Sequence, residues 1–271
     1  MAELRAVEAF EEISPVYDAT RSPIAEATMD RIAADLRAQG IASLLEVGVG
    51  TGRVAAPLVA RGFEVVGLDG ARGMLERARA KGVERLVRGD AYALPFRDGA
   101  VDTALFVHVL QLLDDPIAAI REACRVGRRG ATALVRPPVD GLPAPPEGRK
   151  DDPRRRVAEL LAREGYDVPR GSYGPRTAEA RVLRAVPPDR LEILRDELVT
   201  EPLVERLTLL ERRASRHFLH VPSEALARAV AQVRAELGDR THTYRSIEAL
   251  ATWRTPPGPA AVVPPPTDPV G

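Results

Sequence analysis

Glu46 opens a short run, EVGVGTG, in which Gly48, Gly50 and Gly52 follow at every second position, and a second acid, Asp69, stands 23 residues further on. On a strand-to-helix turn, missing Cβ atoms let a ligand lie against the backbone. A dinucleotide loop has the spacing G-x-G-x-x-G, sets a pyrophosphate on the helix N-terminus and gains nothing from a carboxylate at its mouth. Here the spacing is G-x-G-x-G, Arg53 follows the last glycine, and an acid precedes the first. An acid in that place suits a ligand carrying a positive amino group or a sulfonium. Asp69 ends the second apolar run, where a carboxylate can accept both hydroxyls of a ribose. The third acid, Asp90 in RGDAYALPF, follows the third run and can accept from the exocyclic amine of a purine. Three acids at three successive strand ends would line one crevice.

The elements that must position these acids are legible in the pattern. From about residue 41 to 136, SLLEV, FEVVGL, VERLVRG, VDTALFV and ATALVRP read as strands, each too apolar for a sheet with one wet face. Between them, GRVAAPLVARG, ARGMLERARAKG and DPIAAIREACRVG place apolar residues three and four apart and end at Gly, as helices do. Alternation of this kind predicts right-handed βαβ units in an α/β, doubly wound, mostly parallel sheet. After Arg136 the character changes. PPVDGLPAPPEGRKDDPRRR reads as an exposed connector. RRRVAELLAREG, TAEARVLRAV, PLVERLTLLERRA and SEALARAVAQVRAELG read as helices, the last with Ser223 as N-cap and Gly238 at its end. RLEILRDEL and THTYRSIEALATWR read as strands at the far edge of the sheet. The expected division is a core over 1–136, a helical cap with sheet-completing strands over 137–255, and a disordered Pro-rich tail over 256–271.

Composition narrows the classes. The chain has 271 residues, 45% of them apolar, enough for a full core. Lys plus Arg balances Asp plus Glu at 39 each, so no global field attracts nucleic acid or an anionic membrane. Cys124, the single cysteine, favours a reducing compartment and reads as a buried filler. MAELRAVEAFEEIS carries acids where a signal peptide is basic, and no apolar run reaches the length of a membrane span, so the expectation is a cytoplasmic protein.

The stretches EVGVGTGR, GLDGARGMLERAR and GDAYALPFRDGAVDTALFVHVLQLLDDP together resemble the successive motifs of class I S-adenosylmethionine-dependent methyltransferases, and within them the small-molecule branch of the ubiquinone and menaquinone methyltransferases. The resemblance covers roughly residues 10 to 136. It implies a Rossmann-like seven-stranded sheet, S-adenosylmethionine as cofactor, and methyl transfer to a small-molecule acceptor. By the same resemblance Gly48, Gly50 and Gly52 would border the methionyl part and Glu46 would face its amino group. Asp69 would hold the ribose, Asp90 with the backbone of Ala91 would read the adenine, and Gly70 and Met74 would flank the ring. The pattern Y-D-x-x-R in ISPVYDATR resembles the N-terminal helix that folds over the cofactor, which makes Tyr17 and Arg21 candidates for a lid and a carboxylate contact. His108 stands where family members place a residue beside the methionine moiety.

Each assignment has a structural counterpart: Met74 as helix core, Tyr17 as a packed anchor, His108 as a neutral side chain at a strand end, the Arg154–Arg156 run as a solvated helix start. The chain also departs from its relatives, many of which carry a second histidine where this sequence has Leu112. If the acceptor needs a general base, His217 and His220 in SRHFLH are the candidates from the cap. Leu160, Leu161, Leu183, Leu207, Leu210 and Phe218 could line an acceptor pocket or form a small helical core. Two other readings survive: a cofactor-binding protein without turnover, and a nicotinamide-dependent oxidoreductase, the latter disfavoured by the loop spacing and by Glu46.

Overall fold

Strand formation follows the apolar runs closely. In the computed structural model, which describes residues 2–21, 24–137, 152–168, 175–211, 218 and 220–254, the chain opens with α1 (Ala2–Ile13), a 3-10 turn at Asp18–Thr20 and α2 (Glu26–Ala38). Next come β1 (Ser43–Val47), α3 (Ala55–Ala60), β2 (Glu64–Asp69), α4 (Arg72–Ala80), β3 (Arg85–Arg88), β4 (Thr103–Val107), α5 (Pro116–Val126) and β5 (Ala131–Val135). Beyond β5 lie α6 (Pro153–Arg163), α7 (Pro175–Ala185), β6 (Arg190–Pro202), α8 (Thr208–Glu211), α9 (Ser223–Leu237) and β7 (Thr241–Trp253).

The strands form one seven-stranded sheet in the order β3-β2-β1-β4-β5-β7-β6. The first five are mutually parallel, and β7 runs antiparallel to both β5 and β6. Both faces are covered, as continuous apolar strands require. Leu45, Val47 and Phe106 bury against α5 on one face, while Leu44 and Leu105 bury against α2 and α3 on the other. At the edge, β3 keeps its terminal arginines exposed because only one neighbour pairs with it. The strand order reverses between β1 and β4, so a crevice opens at the carboxyl ends of the central strands.

The region after β5 divides differently from the expectation. Strands β6 and β7 are 13 residues each, but only Ala249–Trp253 pair with β5, and the remainder extends as a two-stranded ribbon with an irregularity at Ile193/Arg195. The segments around that ribbon form a second core: Val157 and Leu161 of α6, Leu207, Leu210, Phe218 and several residues of α9 bury one another. Helix α7, expected in the cap, instead packs Val182 and Leu183 onto the main sheet core, with Val186 just after it. Pro202–Ala214, read as one helix, breaks into a 3-10 turn at Leu203–Leu207 and the single turn α8. Ser223 is the first helical residue of α9 rather than its cap. Pro222 holds the extended cap geometry, and no side chain caps it. Gly238 does close α9, at φ 56°. The connector over 138–151 and the tail over 255–271 lie outside the described residues.

Candidate functional site

The turn after β1 is built around backbone that only glycine adopts readily. Gly48 and Gly50 have φ of +73° and +54°. The N–H groups of Gly48 and Val49 both donate to Leu68 O, at 2.8 and 2.9 Å, which pins the turn to the end of β2. Asp69 completes the tie: Oδ2 accepts from the Gly50 N–H and Oδ1 from the Ala71 N–H, each at 2.9 Å. A Cβ on Gly50 would meet nothing within 4 Å, so this backbone faces open space.

That space is a cavity of about 500 Å³ at the carboxyl ends of β1, β2 and β4, within the range of small-molecule sites. Its wall holds Glu46, Gly48, Gly50, Asp69, Gly70, Met74, Asp90, Ala91 and His108 from the core, and Val7, Phe10 and Tyr17 from the N-terminal segment. Glu46, on β1, is 2% exposed. Burial pushes its carboxyl up to about 8, against a hydrogen bond from the Ala55 backbone, with the charge of Asp69 adding to the rise. Its Oε2 is buried and makes no hydrogen bond. Burial likewise raises Asp69, opposed by the backbone donors of Ala71, Gly50 and Gly70. Asp90, exposed, accepts from the Tyr92 N–H at 2.8 Å.

The N-terminal segment folds against this wall. Glu11 of α1 accepts from the Gly73 N–H at the start of α4, at 3.0 Å, and Ile13 buries with Ala71 and Met74. Asp18 then ties the 3-10 turn to the glycine turn, accepting from Thr51 Oγ1 at 2.6 Å and pairing with Lys81 at 2.6 Å. Phe10 meets Tyr17 edge to face at 6.2 Å, and the Arg21 guanidinium lies 4.8 Å over the Tyr17 ring.

Not every sequence candidate reaches the cavity. Gly52 lies off its wall, where a Cβ would press on Ala78 and Val83, so this glycine serves the packing of the glycine turn on α4. Arg21 is placed behind Tyr17 and does not line the cavity. His220 is exposed and its Nε2 lies 2.7 Å from Asp167 O, away from the cavity, because its segment joins the second core through Phe218 and Val221. His217 lies outside the described residues. Of the apolar residues weighed for an acceptor pocket, Leu161, Leu207, Leu210 and Phe218 form the second core with Leu160 against it, and Leu183 joins the sheet. Sequence reasoning missed Arg53, Val7 and Phe10 on the wall, though Arg53 directly follows the glycine turn and Val7 and Phe10 share a face of α1 at helical spacing.

Comparison with known proteins agrees with this geometry. Residues 45–135 match the methyltransferase domain family. A phosphatidylethanolamine N-methyltransferase of Cereibacter sphaeroides is 33% identical over 127 residues, covering 44% of this chain and 62% of that protein. A demethylmenaquinone methyltransferase of Thermus thermophilus is 35% identical over 150 residues, covering 51% of this chain and 66% of that one. The chain thus spans less than two thirds of the length of these relatives. Among solved structures, an S-adenosylmethionine-dependent methyltransferase of Thermotoga maritima superposes over 90% of this chain and 98% of its own, with a TM-score of 0.50 at 18% identity, a likeness of fold. Among the described residues no helix is long and apolar enough to cross a membrane. Residues 45–135 thus form a domain of the methyltransferase family, on a fold shared with an S-adenosylmethionine-dependent methyltransferase.

Proposed function

We propose that the protein binds S-adenosylmethionine in the β1/β2/β4 cavity and transfers its methyl group to a small-molecule acceptor. The observation that carries this reading is the buried, unpartnered Oε2 of Glu46 on a cavity wall that also holds Asp69 and Asp90. A carboxyl left without a partner in a buried wall calls for a donor from a ligand. The amino group of the methionyl part supplies one. Gly50 leaves room beside it, and Asp69, although the backbone N–H groups of Gly50, Ala71 and Gly70 act on it, keeps capacity among its roughly four lone-pair positions for a ribose hydroxyl. Asp90 and the Ala91 backbone stand at the end suited to adenine. The residues present therefore fit the cofactor.

S-adenosylmethionine supplies an electrophilic methyl group on a positive sulfur, which a nucleophile takes by in-line displacement. The chain's own contribution is alignment and exclusion of water. Val7, Phe10 and Tyr17 cover the cavity, and the Asp18–Thr51 and Asp18–Lys81 contacts hold that cover on the glycine turn. Positioning of this kind is worth up to about 7 to 11 kcal/mol of the barrier. His108, Leu112 and Leu113 form the part of the wall that follows β4, and the acceptor is assigned to that side. The small size of the cavity and the balanced charge of the chain favour a small-molecule acceptor over a nucleic acid.

The deciding experiment has two stages. Calorimetric titration with S-adenosylmethionine, its demethylated product, NAD and NADP is expected to show binding of the first two only, and preferential NAD binding would overturn the reading. Incubation with methyl-labelled cofactor and a panel of small acceptors then reads transferred label. Tight binding with no transfer to any acceptor would favour a binding protein without turnover, for which Leu112, in place of the histidine of many relatives, is the support.

A further inference from the structure

His108 is the only non-glycine residue at positive φ among the described residues, at 55°. Such a conformation persists only where its surroundings over-determine it. Three contacts do so here. Gln111 Nε2 donates to His108 O at 2.7 Å and holds the backbone. Arg136 Nη2 lies 2.8 Å from Nδ1 and 3.5 Å from Nε2, so the guanidinium reaches both ring nitrogens. Arg136 is fixed in turn, since its backbone N–H donates at 2.8 Å to Glu179 Oε2, a buried carboxylate on α7. Arg136 Nε and Gln111 Oε1 are buried with no hydrogen bond of their own.

His108 lines the cavity and Arg136 does not. Accordingly, and resting on the cofactor assignment above, we propose that Arg136 is a positioning residue that holds the His108 ring uncharged and fixed beside the methionyl end of the site, so that the protein presents no imidazolium to the positive sulfur. The argument does not depend on the tautomer. A second proton on the ring, whichever nitrogen it joined, would place a positive ring in contact with a guanidinium. Burial pushes the imidazole down to about 3, and the charged groups that act on it, Arg136 at the end of β5, Arg53 after the glycine turn and Arg21 behind Tyr17, all work in the same direction. An ordinary histidine at this place would change charge near neutral pH and make sulfonium binding depend on acidity. Arg136 replaces that variable charge on the cavity wall by a fixed one behind the ring. The same contact removes His108 as a general base, because a ring that does not accept a proton cannot take one from the acceptor.

Ring-proton NMR of the full chain tests this, with His108→Asn used to identify the His108 signal among the four histidines. In the wild type the ring is expected not to titrate between about pH 8 and about pH 5. Arg136→Gln should raise its titration and Arg136→Glu should raise it further, into that window. A second readout separates charge from mere structure. In Arg136→Glu, affinity for S-adenosylmethionine relative to the demethylated product should fall by about tenfold at one pH unit below the ring's new pKa, since a proton must leave for the sulfonium to bind. Affinity for the demethylated product, whose sulfur is neutral, should lack this extra fall and keep only the dependence on Glu46, which both ligands share through their amino group. If Arg136→Glu does not fold, Arg136→Gln carries both comparisons. A wild-type ring that titrates near its ordinary value, variants that leave the titration where it was, or a ratio of the two affinities that does not change with pH in Arg136→Glu would each overturn the proposal. Failure of the wild type to bind either ligand at neutral pH would overturn the cofactor assignment itself, and the ring titration would then judge the Arg136–His108 pair separately.

Discussion

Asp69 Oδ2 accepts the Gly50 N–H at 2.9 Å, so the acid at the end of β2 holds the glycine turn that follows β1. One carboxylate therefore both shapes the loop and, in the proposed function, binds the ligand that the loop accommodates. Asp69→Ala removes the bonds to Gly50 and Ala71 together, at about 1 kcal/mol each by the usual net value. The expected outcome is a melting point lowered by a loss of roughly 2 kcal/mol and, in the folded variant, cofactor affinity weakened tenfold or more. Thermal melting without ligand reads the first effect and titration at low temperature the second. An unchanged dissociation constant would leave Asp69 as a structural residue alone.

Glu46 makes the stability of the protein depend on pH with a definite sign. Its carboxyl is raised from 4.5 to about 8 in the fold. Between those values the unfolded chain has lost the proton and the folded chain keeps it, so stability falls as pH rises, by about 1.4 kcal/mol per pH unit. The contribution is fully present below 4.5 and lost as pH passes through about 8. Denaturant unfolding of the wild type and of Glu46→Gln at several pH values should show this slope in their difference. A difference that is flat across the window would contradict the burial of an uncompensated carboxyl.

The same group links cofactor binding to protons. If Glu46 meets the ligand's ammonium as a carboxylate, binding below about pH 8 must release a proton. Calorimetry of S-adenosylmethionine binding in buffers of different ionisation enthalpy counts that proton directly. Glu46→Gln should abolish the release, and proton-free binding by the wild type would remove Glu46 from the ammonium.

Two glycines of the turn should respond differently to alanine. A Cβ on Gly48 would come 2.6 Å from Val109 Cγ2, and one on Gly50 would enter open cavity. Both carry the left-handed strain of about 1 to 2 kcal/mol. Gly48→Ala is expected to lose stability beyond that strain, and Gly50→Ala to lose cofactor affinity beyond its loss of stability. Melting and titration of both variants check the contrast, which equal effects would refute.

The second core should be separable from the cavity. Leu161, fully buried among Leu207, Phe218 and α9, lies in a cluster that shares no residue with the cavity wall. Leu161→Ala should cost about 2 to 5 kcal/mol, with hydrogen-exchange protection lost first in α6 and α9. Cofactor affinity of the folded variant should be unchanged. A large loss of affinity would show that the second core supports the cavity.

How much of this was legible depended on the range of the interaction. The five apolar runs became β1 to β5 within a residue or two, because strands buried on both faces must be apolar along their whole length. The glycine turn with Glu46, Asp69 and Asp90 converges on one cavity because each acid sits at or just beyond the end of a parallel strand, and parallel strands in right-handed βαβ order present their ends on one side. Ser223 failed as a cap because the neighbouring Pro222 already supplies the extended geometry, a matter of local backbone that residue preference does not resolve.

By itself, then, the sequence determined the alternation of strands and helices, the doubly wound sheet and the strand-end acids, all of which rest on periodicity and on neighbours a few residues apart. Only the tertiary structure decided the rest. It separated Gly52 from Gly48 and Gly50, because which glycine faces the cavity and which faces α4 depends on where that helix packs. It divided the region after β5 into a sheet-bound α7 and a second core, since helices of similar amphipathic pattern carry no mark of which surface they cover. It also brought Arg136 to His108 across 28 residues and anchored it on Glu179, 43 residues further along. Contacts of that separation are set by strand order and helix packing, and no local spacing in the chain records them.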